Sequence, residues 1–479
     1  MKDSSAYERF DSPLVERYAS AEMSRLFSPA EKFRTWRRLW IALAEAEKEL
    51  GLPITDEQIR DLRARHDDIN FDRAEALECE LRHDIMAHVH AYGEQAPAAR
   101  PILHLGATSC DIADNADLIA MRGGLDLLKR RLATVIDRLA RFAAEHRALP
   151  TLGFTHYQPA QLTTVGKRAC LWLWDLVCDF EAIDALRRGL RFRGIKGTTG
   201  TQASFLRLFD GDHAKVHELE RRVAARMGFD QCQPVTGQTY SRKVDAQVLA
   251  ALSGMAQSAH KFANDLRLLA NLKEMEEPFE KSQIGSSAMA YKRNPMRCER
   301  MTGLARVLIS LEPAAAATAA EQWLERTLDD SAARRIVVGE GFLAADAIAK
   351  LYQNIVEGLV VYPKMIARHM AEELPFMATE NVLMAAVKAG GDRQTLHEAI
   401  RRHSHDAARR VKIDGEANDL VDRLRADPAF ARVDIDAELD PARFIGRAPE
   451  QVDEFLAAHV RPLLDANRDL VGIAAEVKV

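Results

Sequence analysis

The middle of this 479-residue chain carries apolar stripes that only long helices can use. Leu118, Leu125, Leu128, Leu132, Val135, Leu139 and Phe142 recur at helical spacing, so one side of a helix is apolar over many turns. Val165, Ala169, Trp172, Leu176, Phe180, Ile183 and Leu190 form a second stripe, with its helix expected to start at Pro159. Further stripes run through 240–272 and 297–360. Segments of this length exceed the average globular helix and predict an extended bundle. Their apolar faces are broader than one chain covers, which favours an oligomer. Trp172 and Trp174 read as packing residues rather than cofactor contacts.

The flanks carry shorter patterns. Ser28-Pro29-Ala30-Glu31 is a capping box with Pro at the first helical position, opening a helix that Gly51 ends. Thr55-Asp56-Glu57-Gln58 starts another. Beyond Pro363, Gly390-Gly391, Asp414-Gly415 and Asp440-Pro441 separate shorter helices. The expectation is an all-α chain of three helical domains: 1–108, a central long-helix bundle over 109–363, and 364–479.

Composition narrows the function classes. Basic and acidic residues nearly balance, 66 against 71, so no field attracts nucleic acid. The longest small-apolar run, around 314–320, is too short to span a bilayer, and the first residues lack the apolar core of a secretory signal. Six scattered cysteines without a Cys-x-x-Cys pair read as reduced thiols of a cytoplasmic protein, not as a disulfide frame or a zinc site. His397-Glu398 begins a zinc-helix pattern, but Arg401 stands where its second His belongs. Gly194, Gly197 and Gly200 match neither the dinucleotide fingerprint nor the P-loop.

Three stretches carry chemistry. The run from Gly285 to Pro295 sets two Ser, two Ala and Gly beside Lys292, Arg293 and Asn294. Small polar residues there favour a loop, and hydroxyls with a cation and a carboxamide suit the gripping of a carboxylate. Leu105 to Asn115 places Thr108 and Ser109 at a helix start, where free N–H groups attract an anion; plain capping by Ser109 or Asp111 explains this stretch alone equally well. Gly153 to Ala160 sets His156 in a turn, where a titratable group reaches a cleft or serves a structural bond.

The Gly285 run resembles the signature loop of the fumarase/aspartase superfamily, whose members eliminate fumarate from a substituted succinate. The three stretches, in this order, match that superfamily's three signature regions. Arg82-His83-Asp84, Lys196 to Gln202, Gly237-Gln238-Thr239-Tyr240 and Arg326 to Ser331 narrow the resemblance to the animal-type branch of the adenylosuccinate lyase family, from about Ser12 to Leu464.

That resemblance implies a homotetramer with active sites shared between subunits, acting on small purine nucleotides without metal or cofactor. It implies elimination of fumarate from adenylosuccinate, giving AMP, and from succinylaminoimidazole-carboxamide ribotide. His156 is then the general acid and Ser286 the general base, with Lys292 and Asn294 holding a carboxylate and Glu299 orienting a catalytic partner. Arg17, Tyr18, Arg326, Ser331 and Arg335 match nucleotide anchors. Arg82, His83, Asp84, Thr108, Ser109, Thr155, Gln238 and Arg300 match other substrate contacts. The chemistry fits, because the proton beside a carboxylate is weakly acidic and the dianion formed needs cations and hydrogen bonds around it. Two other readings stay open: a sister lyase such as argininosuccinate lyase, and an inactive helical scaffold. One departure stands out: the family loop usually has Pro where this chain has Ala290, which leaves the open loop more conformations to lose on closing.

Overall fold

The structure, a computed structural model, describes residues 11–280, 283–284 and 288–475. Helices dominate the described residues, as expected for an all-α chain. A short helix, Ala21–Leu26 (α1), leads to Pro29–Glu49 (α2). Ser28 caps α2 by accepting the Glu31 N–H at 3.3 Å, but the Glu31 carboxylate turns to Arg34 and Arg38, so only half of the expected box forms. At the other end Gly51, with φ +99°, lets its own N–H and that of Leu52 return to the Lys48 and Glu47 carbonyls. Asp56–Ala64 (α3) has the full reciprocal box, Thr55 with Gln58. Phe71–Leu81 (α4) and Asp84–Gln95 (α5) complete this part.

Ser109–Glu145 (α6) carries the first stripe, and every residue of it from Leu118 to Leu139 is at most 1% exposed. Burying each such side chain contributes roughly 2 kcal/mol. Two expectations fail next. Pro159 does not start a helix: Pro150–Thr155 (β1) and Gln158–Thr164 (β2) pair as an antiparallel hairpin with Phe154 opposite Pro159. A two-stranded ribbon is all edge, so a residue without N–H is tolerated there. The helix Val165–Gly189 (α7) begins only where the Thr164 hydroxyl accepts the Lys167 N–H at 3.0 Å. Trp172 is buried and donates to Asp265 at 2.7 Å, whereas Trp174 faces outward, half covered by Phe455 and His459.

After Ala203–Leu208 (α8) and His213–Arg226 (α9), Lys243–Asn271 (α10) rejoins the bundle. The stripe over 297–360 divides into Met296–Ala320 (α11) and Asp329–Glu357 (α12). Met275–Glu276 (β3) pairs with Val360–Val361 (β4) at the bundle's far end. Helices α6, α10 and α12 run in one direction while α7 and α11 return. Close approach of α6 to α12 needs Gly124, since a Cβ there would lie 2.5 Å from the Phe342 ring, itself stacked on Phe27.

The last part holds Pro363–Met377 (α13), Thr379–Lys388 (α14), Arg393–Lys412 (α15), Leu420–Ala426 (α16), Ile435–Glu438 (α17), Ala448–Phe455 (α18) and Arg461–Ala466 (α19). Val382, Leu396, Ile400, Leu424 and Phe430 belong to a small core separate from that of the bundle. No helix among the described residues is long and apolar enough to cross a membrane.

Candidate functional site

Helices α5, α6 and α12 begin, and α4 ends, around an open cavity of about 650 Å³. That size suits a nucleotide-sized ligand. Arg82, His83, Asp84, Ser109, Arg326, Ser331 and Arg335 all line it, so the structure brings together seven of the residues picked out from sequence. Arg82 ends α4 in the left-handed conformation, with φ +54°. His83 caps α5: its Nδ1 accepts the Met86 N–H at 3.3 Å, which leaves the neutral ring's proton on Nε2, 3.4 Å from the Ser109 hydroxyl. Asp84 holds Arg335 at 3.1 Å. Thr108 rather than Ser109 is the residue before α6, and its N–H donates to Asp111 at 2.8 Å. Gln238 accepts from Arg326 at 2.8 Å, and the same guanidinium nitrogen lies 3.2 Å from the Cys110 sulfur. Burial pushes the Cys110 thiol up to about 12, so it stays neutral beside that cation.

Beneath these residues lies a buried charge network that sequence reading missed. Arg242 spans Asp114, at 3.1 Å from two nitrogens, and Asp330, at 2.6 Å from Nε. Arg334 reaches Asp245 at 2.6 Å and Asp117 at 2.9 Å, while the Tyr240 hydroxyl donates to Asp245 at 2.6 Å. Burial raises the Asp117 carboxyl above the usual range against the pull of Arg334. Asp114, Tyr240 and Asp330 sit inside the motifs quoted from sequence, but nothing local distinguishes Arg242 or Arg334 from a surface Arg.

Asp111 does more than cap. Fully buried, it pairs with Arg193 and accepts the N–H of Lys196 at 2.8 Å and of Gly197 at 3.2 Å, fixing the Gly-rich 194–200 loop to the start of α6. Gly200, with φ +80°, presses on the next loop: a Cβ there would lie 1.9 Å from the Thr236 carbonyl oxygen. The Gln238 N–H in turn donates to the Glu325 carbonyl at 3.0 Å, joining that loop to the Arg326 segment.

The remaining candidates lie elsewhere in the protomer. Thr155 and His156 are exposed at the β1–β2 turn, where His156 and Tyr157 both have positive φ, 54° and 56°. A type I′ two-residue hairpin turn requires that pair of conformations, which side chains other than Gly, Asn or Asp adopt at a cost. The hairpin springs from the far end of α6, where Gly166 N–H meets the His146 carbonyl at 3.0 Å. A 37-residue helix is about 55 Å long, and a hairpin folded back by about 20 Å still leaves His156 roughly 35 Å short of Ser109.

Lys292, Asn294, Glu299 and Arg300 gather at the start of α11, and Glu299 lies 4.0 Å from Arg267 near the end of α10. That point is roughly 36 Å along α10 from the cavity floor. The base of this loop is clasped: Arg293 reaches Glu276 at 3.3 Å, Tyr362 donates to Glu276 at 2.8 Å, and Glu277 accepts the Arg297 and Cys298 N–H groups at 3.0 and 2.9 Å. Ser286 lies outside the described residues. Arg17 is exposed and Tyr18 half-buried on a turn tied to the C-terminal half of α12, away from Arg326, Ser331 and Arg335.

Comparison with known proteins gives the chain's family. A family profile described as "Lyase" matches residues 30–309, and one described as "Adenylosuccinate lyase C-terminus" matches residues 375–455. Adenylosuccinate lyase of Saccharomyces cerevisiae is 56% identical over 96% of this chain and 96% of its own length. That of Schizosaccharomyces pombe is 54% identical over 97% and 98%. The crystal structure of a fumarate lyase from Mesorhizobium sp. BNC1 superposes with a TM-score of 0.78 at 24% identity, covering 92% of this chain and 99% of that one, a likeness of fold. On profile, full-length identity and fold together, the chain belongs to the adenylosuccinate lyase family.

Proposed function

We propose that this protein is an adenylosuccinate lyase of purine nucleotide biosynthesis, acting in the cytoplasm as a homotetramer. It eliminates fumarate from adenylosuccinate, leaving AMP, and from succinylaminoimidazole-carboxamide ribotide, leaving the carboxamide ribotide. The observation that carries the reading is the cavity in which Arg82, Arg326 and Arg335 stand beside the starts of α6 and α12. Planar guanidinium forks and helix N-termini suit a ligand bearing a phosphate and carboxylates.

In this reading Ser286 removes the proton from the succinyl carbon beside a carboxylate. Lys292 and Asn294 stabilise the negative charge that spreads onto that carboxylate. The C–N bond then breaks, its electron pair goes to nitrogen, and His156 supplies the proton, so fumarate and the free amine leave. Glu299 orients a catalytic partner. Arg17, Tyr18, Arg326, Ser331 and Arg335 anchor the nucleotide. Thr108, Ser109, Thr155, Gln238, Arg300 and the Arg82–Asp84 run contact the rest of the substrate.

Each site is shared between subunits. The support is the separation within one protomer: the cavity, the His156 hairpin and the Lys292 segment lie tens of ångströms apart, so a site that uses all three takes them from different copies. Fumarate release from each of the two substrates, followed by absorbance, tests the reading. Cleavage of argininosuccinate with neither purine substrate turned over would replace it with the sister-lyase alternative.

A further inference from the structure

We propose that Arg242 is a positioning residue for nucleotide binding, holding the α6 and α12 walls of the cavity in register. The inference rests on the adenylosuccinate lyase reading above. Arg242 is 2% exposed and lies just before α10, the third helix that starts at this end of the bundle. Its fork grips both oxygens of Asp114 on α6 at 3.1 Å, while Nε donates to Asp330 on α12 at 2.6 Å.

Each member of this tie neighbours a proposed substrate contact. Asp330 immediately precedes Ser331 and follows Arg326 in the same segment. Asp114 lies about one and a half turns after Ser109. Gln238, just before Arg242 in sequence, holds Arg326, and the Tyr240 N–H between them donates to Asp114 at 3.1 Å. A shift of Asp330 against Asp114 therefore moves Ser331 and Arg326 relative to Ser109. The geometry needs three directed donors from one planar cation, which an ammonium cannot supply to two carboxylates at these positions.

The fold does not depend on this tie alone. Arg334, one turn further along α12, has its own bonds to Asp245 and Asp117, and also lies 3.9 Å from Asp114. Loosening Arg242 thus slackens the register of the first turn of α12 without releasing the helix.

The test is Arg242→Lys in the full-length protein, with AMP binding by calorimetry, steady-state kinetics on adenylosuccinate, inhibition by fumarate, and thermal unfolding. AMP carries the nucleotide but not the succinyl group, so it reports on the anchors alone. We expect weaker AMP binding by about ten-fold or more, a matching rise in KM, kcat within about three-fold and unchanged fumarate inhibition. A merely structural role lowers the melting temperature but leaves the AMP dissociation constant of the folded fraction within about two-fold, and that result overturns the proposal. If Arg242→Lys does not fold, Asp330→Asn keeps the side-chain size and removes the ion pair; AMP affinity unchanged there likewise overturns it. A wild-type protein that neither binds AMP nor releases fumarate sinks the underlying reading instead.

Discussion

The Lys350 ammonium donates to the Tyr18 carbonyl at 3.1 Å, and this contact holds the Arg17–Tyr18 turn roughly 28 Å along α12 from Ser331. Two groups proposed to anchor one nucleotide thus sit apart in the protomer, as do His156 and Arg326. Mixing inactive His156→Ala with inactive Arg326→Ala subunits should therefore restore part of the activity, because hybrid assemblies contain some sites with neither change. No recovery after proven subunit exchange would count against shared sites.

His156→Ala should lower kcat by about two to four orders of magnitude, the usual contribution of a positioned acid or base. Binding of AMP should be nearly unaffected, since the acid acts mainly in the transition state. Retention of a tenth of wild-type turnover would remove His156 from the chemistry.

Asp111→Ala should destabilise the protein by about 3–5 kcal/mol, because it leaves the buried Arg193 guanidinium without its carboxylate and frees the N–H groups of Lys196 and Gly197. Urea unfolding measures this directly. A loss under about 1 kcal/mol would mean that solvent or neighbouring carbonyls replace the carboxylate at little cost.

Gly200→Ala should cost at least about 1–3 kcal/mol from its positive φ alone, with more from the clash against the Thr236 carbonyl. The loop pushed aside carries Gln238, so KM should rise as well. Wild-type stability and KM together would show that the two backbones separate freely.

Glu47 is fully buried with both carboxylate oxygens unpartnered, and burial raises its carboxyl to about 9. Below the unfolded value near 4.5 both states are protonated and the acid costs nothing extra. As pH rises from there towards 9 the unfolded state ionises and the folded state does not, so stability falls. Glu47→Leu should therefore be more stable than wild type by roughly 3 kcal/mol at pH 7, with the difference narrowing towards pH 5. A pH-independent difference in denaturant midpoints would mean that Glu47 ionises in the folded protein.

What local order could encode was legible in the sequence. The α6 stripe, the Thr55 box and the stop at Gly51 all came from spacing and side-chain chemistry within a few residues, which is the range over which helix periodicity and capping act. The residues around Arg82, Ser109 and Arg326 were picked out through the family resemblance of their motifs, since by type alone an Arg or Ser reads equally well as a surface or capping residue. Pro159 was misread because a proline suits a helix start and an edge strand equally, and only the pairing of Phe154 with Pro159 decides between them. Arg242 and Asp114 stand 128 positions apart, and their fork exists only because three helix starts pack together. Burial, which turns an ordinary Arg or Glu into a tie such as Arg242 or a neutral acid such as Glu47, depends on what the rest of the chain places around it. The tertiary structure alone decided that, and it also set His156 and Lys292 far from the cavity of their own protomer.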